Sequence, residues 1–402
     1  MFFWAVIFAG FLLAASPSSA SDRYQQELSY EANQLLVGVQ ELMQAEKYRE
    51  ALAGIDAFRE KNPRRSFVLV EFFSGNLNFF LDHFQPAADA YRRTVKLAPD
   101  FLQAQENLGM ALLALERYHE AAGPLVRAAA LAAKDAPDQR DRLLAYAGNA
   151  YLLAGEYREA QPLFTQLVHD RQNPLEEHCL ALLRIYLELN ELRPAEALLV
   201  SLLDRFPRQV SYWRLLGQVR VTVEQPTAAL AAYKLVALID PEPRDLKTLA
   251  QLYQMVSLPL AAAKTLERCL EGQEQVGDQE MERLAALYGE AGDIDRALFW
   301  LEKKQAVSPA PENQLRRGEI LYRAGRYREG HDLLSTIDRL PNNDGYQFLL
   351  AGYCAWYAGD LAAARDAFSR AQRYGAYRTR STELLKTVTM ILEQEPPSPS
   401  SS

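Results

Sequence analysis

The residues best suited to chemistry in this 402-residue chain are few and scattered. Cys179, Cys269 and Cys354 lie far apart with no CxxC pair, which is neither a disulfide framework nor a zinc site. Small buried hydrophobes are the expectation for all three. Of the five histidines, His83, His119, His169, His178 and His331, no two stand at the spacing that brings ligands to one helix face, and all five read as exposed polar side chains. Glu176, Glu177, His178 and Cys179 are consecutive, so on a helix they point in different directions. No HExxH, GxSxG, phosphate-binding loop or dinucleotide-binding glycine pattern occurs. The sequence therefore predicts no catalytic residue, no metal site and no cofactor. A net charge of −8 and a pI near 5.4 deny the surface the Lys and Arg surplus that nucleic-acid backbones require, which excludes nucleic acid as a partner.

Binding is then the chemistry to look for, and it depends on the elements that carry the side chains. A turn followed by a small residue recurs along the chain, as in Glu46-Lys47-Tyr48-Arg49-Glu50-Ala51 and Gly155-Glu156-Tyr157-Arg158-Glu159-Ala160. The small residues are Ala51, Ala87, Ala121, Ala160, Ala195, Ala229, Ala262, Ala297, Gly330 and Ala364. Their steps run from 33 to 36 residues, except for 39 between Ala121 and Ala160. Four residues after each anchor stands an apolar side chain, from Ile55 and Tyr91 to Leu334 and Phe368. Twelve before it the residue is usually small, as at Gly75, Gly109, Gly148, Gly217, Gly318 and Gly352. Nine before it the residue is usually bulky, with Asn78, Arg220 and Ala355 as exceptions. Pro63, Pro99, Pro207, Pro241 and Pro309, each twelve after an anchor, close half of the units. Two amphipathic helices of about a dozen residues and a tight turn account for such a repeat. A single unit leaves an apolar face exposed, and stacking buries it.

Repeats are expected to start near 32, 68, 102, 141, 176, 210, 243, 278, 311 and 345. The long step holds Leu131 to Asp138 and reads as a lengthened second helix or loop. A further helix over 380–393, with Leu384, Leu385, Val388, Ile391 and Leu392, is expected to seal the last apolar face. Residues 394–402, rich in Pro and Ser, should be disordered. At the other end, Phe2 to Ala15 is an apolar run too short to span a bilayer comfortably, followed by the small residues Ser18-Ser19-Ala20. Residues 1–20 read as a signal peptide, although no Lys or Arg precedes the run; an uncleaved anchor is the alternative. Export, in a bacterium to the periplasm, follows.

The register resembles the tetratricopeptide repeat, whose fingerprint W-x2-L-G, Ala, aromatic, Pro is matched best by Trp213, Leu216, Gly217, Ala229, Tyr233 and Pro241. Arg220 stands where that family prefers an aromatic residue or Leu. The resemblance spans about residues 32–378 and implies an all-α, right-handed superhelical solenoid of about ten helix-turn-helix repeats with a C-terminal capping helix. It also implies that first helices line a concave groove, at positions about fifteen, eleven and eight before each anchor. These include Phe72, Asn76, Phe79, Asn149, Arg184, Arg214, Gln218, Lys247, Tyr353 and Trp356. The implied function is a non-catalytic scaffold for a protein or peptide partner. Arg184, Arg214 and Lys247 are suited to an acidic one, or are simply solvated side chains. The dicarboxylate clamp of chaperone-binding family members finds no match, because Leu36 and Gln40 occupy the relevant places. The architecture is similar to exported repeat proteins that accompany TonB-type systems or envelope export complexes of the inner or outer membrane. A carbohydrate- or peptidoglycan-binding module, with Phe72, Phe79, Tyr353, Trp356 and Tyr357 as stacking platforms, is the alternative.

Overall fold

Twenty-one α-helices and no strand make up the described part of the chain, in a computed structural model that describes Tyr24 and residues 28–132, 136–271, 275–341 and 344–394. Ten helical pairs follow one another: α1 (Tyr30–Gln44) with α2 (Tyr48–Lys61), α3 (Val68–Phe80) with α4 (Phe84–Leu97), α5 (Leu102–Ala114) with α6 (Tyr118–Leu131), α7 (Pro137–Leu153) with α8 (Tyr157–His169), α9 (Glu176–Glu188) with α10 (Leu192–Arg205), α11 (Val210–Thr222) with α12 (Pro226–Ile239), α13 (Pro243–Met255) with α14 (Pro259–Leu270), α15 (Asp278–Glu290) with α16 (Ile294–Val307), α17 (Pro311–Arg323) with α18 (Tyr327–Ser335), and α19 (Tyr346–Tyr357) with α20 (Leu361–Ala371). The unpaired α21 (Arg378–Gln394) comes last. Two compact units divide between Leu202 and Leu203, inside α10. Consecutive helices pack from α1 to α9 in the first unit and from α11 to α21 in the second. The proposed signal peptide, residues 1–20, and residues 395–402 lie outside the described residues.

The register of small and large residues is a packing contact. The nine alanine anchors are fully buried, and Gly330 is buried as well. A Cβ placed on Gly75 would lie 2.4 Å from the ring of Tyr91; on Gly148, 2.6 Å from Phe164; on Gly217, 2.7 Å from Tyr233; and on Gly352, 2.4 Å from Phe368. Gly109 with Leu125 and Gly318 with Leu334 repeat the contact. The small residue of the first helix is thus the socket for the large residue of the second, sixteen positions on. Burial of each such large side chain contributes about 1.5–3 kcal/mol. The exceptions at the bulky position are satisfied locally. The Asn78 amide donates to the Ser74 carbonyl at 2.8 Å, the Arg220 guanidinium donates to the Ala228 carbonyl at 3.3 Å, and Ala355 is buried.

All ten turns within the pairs reverse the chain in the same way. The residue five before each anchor has a positive φ: Glu46, Asp82, Glu116, Gly155, Asn190, Glu224, Ser257, Gly292, Gly325 and Gly359. Four of these are glycine, the residue that adopts this conformation without steric cost. Between pairs, Pro243 and Pro311 open first helices, where the missing N–H breaks no helical bond.

Two details correct the sequence reading. The extra residues of the long step do not lengthen the second helix, which stops at Leu131. They extend the next first helix, so that α7 starts at Pro137, ahead of the expected 141, and runs 17 residues. The ninth repeat is irregular: α18 has only nine residues, and α17 and α19 touch directly. At the end of the array, α21 buries Ser381, Leu384 and Val388 against a cluster that holds Phe348, Leu349 and Phe368. It thereby caps the apolar face of the tenth repeat.

Candidate interaction surface

In the first unit, the face formed by the first helices begins with aromatic packing. Phe72 is half-buried, with its ring 4.8 Å from that of Phe101 and 6.1 Å from that of Tyr91. Tyr24 joins this string through its ring, 5.5 Å from Phe101, and donates its hydroxyl to Asp100 at 2.6 Å. That contact has no signature in the repeat pattern. Phe79 packs edge-on against Phe84 at 5.3 Å. The carboxamide oxygen of Asn76 accepts from the Tyr91 hydroxyl at 2.8 Å and from the Asn107 amide at 3.1 Å. Burial pushes the Tyr91 pKa well above the usual phenol range, so its hydroxyl stays a donor. On α5, Glu106 also has its pKa raised by burial, against the pull of Arg142 at 3.6 Å.

Farther along this unit the face opens. The half-buried Asn149 makes no side-chain hydrogen bond among the described residues. On the same helix, Leu153 is 55% exposed. On α9, Leu180 is 41% exposed, and Arg184, one helical turn later, is exposed with no ion pair or hydrogen bond among the described residues. An uncommitted guanidinium one turn from the exposed Leu180 presents five donors to solvent next to an apolar side chain. On the same helix, His178 corrects the expectation of exposed histidines. It is half-buried near the ring of Phe164, at 6.2 Å, and burial holds its pKa below the ordinary imidazole value. His331 is half-buried too, 3.1 Å from the Ala351 carbonyl.

In the second unit, Arg214 is occupied. Arg214 grips Asp245 through Nε at 2.9 Å and Nη2 at 2.9 Å, and reaches Glu242 at 2.9 Å. Asp245 is 3% exposed and also accepts from the Glu242 backbone N–H at 2.9 Å, closing the capping box that starts α13. Lys247 lies 3.9 Å from Glu280. The exposed amides Gln218 and Gln251 flank apolar side chains, Val221 at 40% exposure and Met255 at 63%. At the far end, Tyr353 and Trp356 are half-buried with their rings edge-on to Phe368, at 5.6 and 6.1 Å. The Arg380 guanidinium of α21 donates to the Tyr353 hydroxyl at 3.0 Å.

Of the sequence-selected residues, the structure therefore commits Asn76, Arg214, Phe72, Phe79, Tyr353 and Trp356 to contacts within the fold. It leaves Asn149, Arg184 and Gln218 presented to solvent or half-presented, and places Lys247 exposed near an acid. Leu153 and Leu180 are exposed beside them in the first unit, and Val221 and Met255 are exposed in the second. Leu180 and Val221 stand at the lining register positions, whereas Leu153 and Met255 lie one residue beyond and were not selected. Among the described residues no group of three or more His, Cys, Asp or Glu side chains is placed to hold a metal ion. The three cysteines are buried. No described helix is long and apolar enough to cross a membrane.

Two family models, both described as tetratricopeptide repeat, match residues 75–138 and 151–219. The sockets and turns described above continue the same register through all ten pairs. The matched segments are tetratricopeptide repeats (TPRs), and the other pairs keep their register. The TPR chain has structural neighbours at low scores. A TPR protein from Parabacteroides merdae ATCC 43184 is 16% identical, covering 62% of this chain and 98% of that one at a TM-score of 0.33. YrrB, described as a TPR protein with an unusual peptide-binding site, is 16% identical over 50% of this chain and 98% of its own, at 0.35. The TPR domain of P58(IPK) is 12% identical over 91% and 99%, at 0.26. No curated protein matches the sequence.

Proposed function

We propose that this TPR chain is a non-catalytic scaffold that holds a partner protein, or an extended segment of one, against the first-helix face. The observation that carries the reading is Arg184, a cation with no partner among the described residues, set on α9 beside the exposed Leu180. The complementary partner is a segment that pairs a carboxylate with apolar side chains: the carboxylate takes the guanidinium fork, and the apolar residues cover the leucines. The apolar run and small residues of 1–20 support export, and with it a role in the cell envelope of a bacterium. Accessory membership of a TonB-type or envelope export complex is the narrower form of this proposal. The glycan alternative asks for free ring faces, and the packing of Phe72, Phe79, Tyr353 and Trp356 against other rings weakens it.

A photo-crosslinking residue at Leu180, used in the native envelope, tests the scaffold. The expected result is a discrete crosslinked protein whose yield falls when Arg184→Glu is combined with the probe. An unchanged crosslinking pattern in that variant would sink the proposal.

A further inference from the structure

Four tyrosines of the second unit gather where the ninth repeat meets the tenth. Tyr327 opens α18 and Tyr357 closes α19, and their rings stack with centroids 5.1 Å apart and planes at 28°. Tyr322, on α17, lies 5.8 Å from Tyr327 and 6.1 Å from Tyr357, and Tyr353 lies 6.4 Å from Tyr322. Rings at these distances are ordinary packing. The outer ring of the group is nevertheless open: Tyr357 is 58% exposed, whereas Tyr322, Tyr327 and Tyr353 are half-buried. Tyr30 is more exposed still, at 77%, but makes no ring contact among the described residues.

We infer that Tyr327 and Tyr357 form an oxidative cross-linking site, at which a one-electron oxidant of the peroxidase class joins the two phenols as dityrosine. The oxidant takes one electron from each ring, and each phenolic proton leaves to water. The two phenoxyl radicals couple through a carbon ortho to each oxygen. The hydrogens on those carbons then move to the oxygens and restore both phenols. One C–C bond forms, the pair loses two hydrogens, and hydrogen peroxide is reduced to water. The surroundings favour this pair over the other tyrosines. The exposure of Tyr357 admits a surface oxidant and supplies water to accept the departing proton. Tyr322 releases its proton less readily, because burial raises its pKa above the usual phenol value. The ring of Tyr327 is already in contact with Tyr357, so coupling is unimolecular, whereas a Tyr30 radical must meet a second molecule. The bond closes residues 327–357 into a loop and ties α18, the nine-residue helix of the irregular repeat, to α19. It constrains the unfolded chain as a disulfide does, in a protein whose cysteines are free and buried. This inference is independent of the partner assigned to Arg184.

Treating the full chain, at high dilution, with a haem peroxidase and hydrogen peroxide tests it. The monomer band of a denaturing gel should gain dityrosine fluorescence. A tryptic digest should contain the dipeptide Tyr327-Arg328 joined to the 340–365 peptide, two hydrogens below the sum of their masses. Tyr327→Phe and Tyr357→Phe keep the rings, and each should abolish the monomer signal, whereas Tyr30→Phe should leave it unchanged. No fluorescence in the parent monomer overturns the inference, as does a monomer signal that survives in Tyr327→Phe or Tyr357→Phe or that maps to Tyr322 or Tyr353. Fluorescence confined to dimers and larger species also overturns it, in favour of coupling between copies.

Discussion

Arg184 on α9 and Arg214 on α11 are both arginines of the first-helix face, and their surroundings give them different work. Arg214 holds the nearly inaccessible Asp245 and, through it, the start of the next repeat. Arg184 faces solvent and has no ion pair or hydrogen bond among the described residues. Residue type and helix face are shared; what separates them is a buried acid in the following repeat. A cation that neutralises such an acid is structural, because its removal strands a charge in low dielectric, whereas a solvated cation is available for association.

The comparison can be broken most decisively at Arg214. Arg214→Ala should cost about 3 kcal/mol, read as a lower urea midpoint, since it leaves Asp245 buried without its partner. Unchanged stability would mean that the two arginines are equivalent after all. Next comes the socket on the same helix. Gly217→Ala drives a Cβ to 2.7 Å from the Tyr233 ring and should cost about 1–3 kcal/mol in the same assay. Gly38→Ala, where nothing lies within 4 Å of the new carbon, should instead gain about 0.5–1 kcal/mol. Arg184→Glu is expected to leave stability within about 0.5 kcal/mol while weakening the acidic partner at least about tenfold, or about 1.4 kcal/mol, by isothermal calorimetry.

The smallest effect belongs to His178, on the helix that carries Arg184. Burial lowers its folded pKa below the ordinary 6.5, so the folded state binds fewer protons than the unfolded chain there. Its contribution is fully present above pH 6.5 and is lost as pH falls through the folded value. His178→Gln should flatten that part of a denaturation-against-pH profile; an identical profile in the variant would show that His178 is as solvated as the sequence suggested.

The fold was legible because its main contact is periodic. Gly75 meets Tyr91 and Gly352 meets Phe368 at the same separation, and a contact repeated at fixed spacing leaves a trace in the sequence. The turns were legible only in part. Gly155, Gly292, Gly325 and Gly359 mark the left-handed residue, but Glu46, Asp82, Glu116, Asn190, Glu224 and Ser257 adopt it without announcing it. The candidate surface was the least legible. Whether a lining arginine is free depends on an acid 31 positions away, as with Arg214 and Asp245, and nothing in the periodic pattern reports that acid's burial. The string Glu242-Pro243-Arg244-Asp245 was the available signal, since an acid three residues into a proline-opened helix marks a capping box. The aromatic residues were ambiguous for a related reason: side chains such as Phe72 and Trp356 stand at lining positions, and only the structure shows their rings packed against Phe101 and Phe368.

Because all ten turns reverse the chain at an equivalent residue in an equivalent conformation, they act as matching splice points. Joining Gly292 directly to Arg326, with residues 293–325 excised, would connect one left-handed turn to the sequence that follows another, with no new backbone geometry to invent. Array length is in that sense a modular quantity, open to deletion or duplication one repeat at a time.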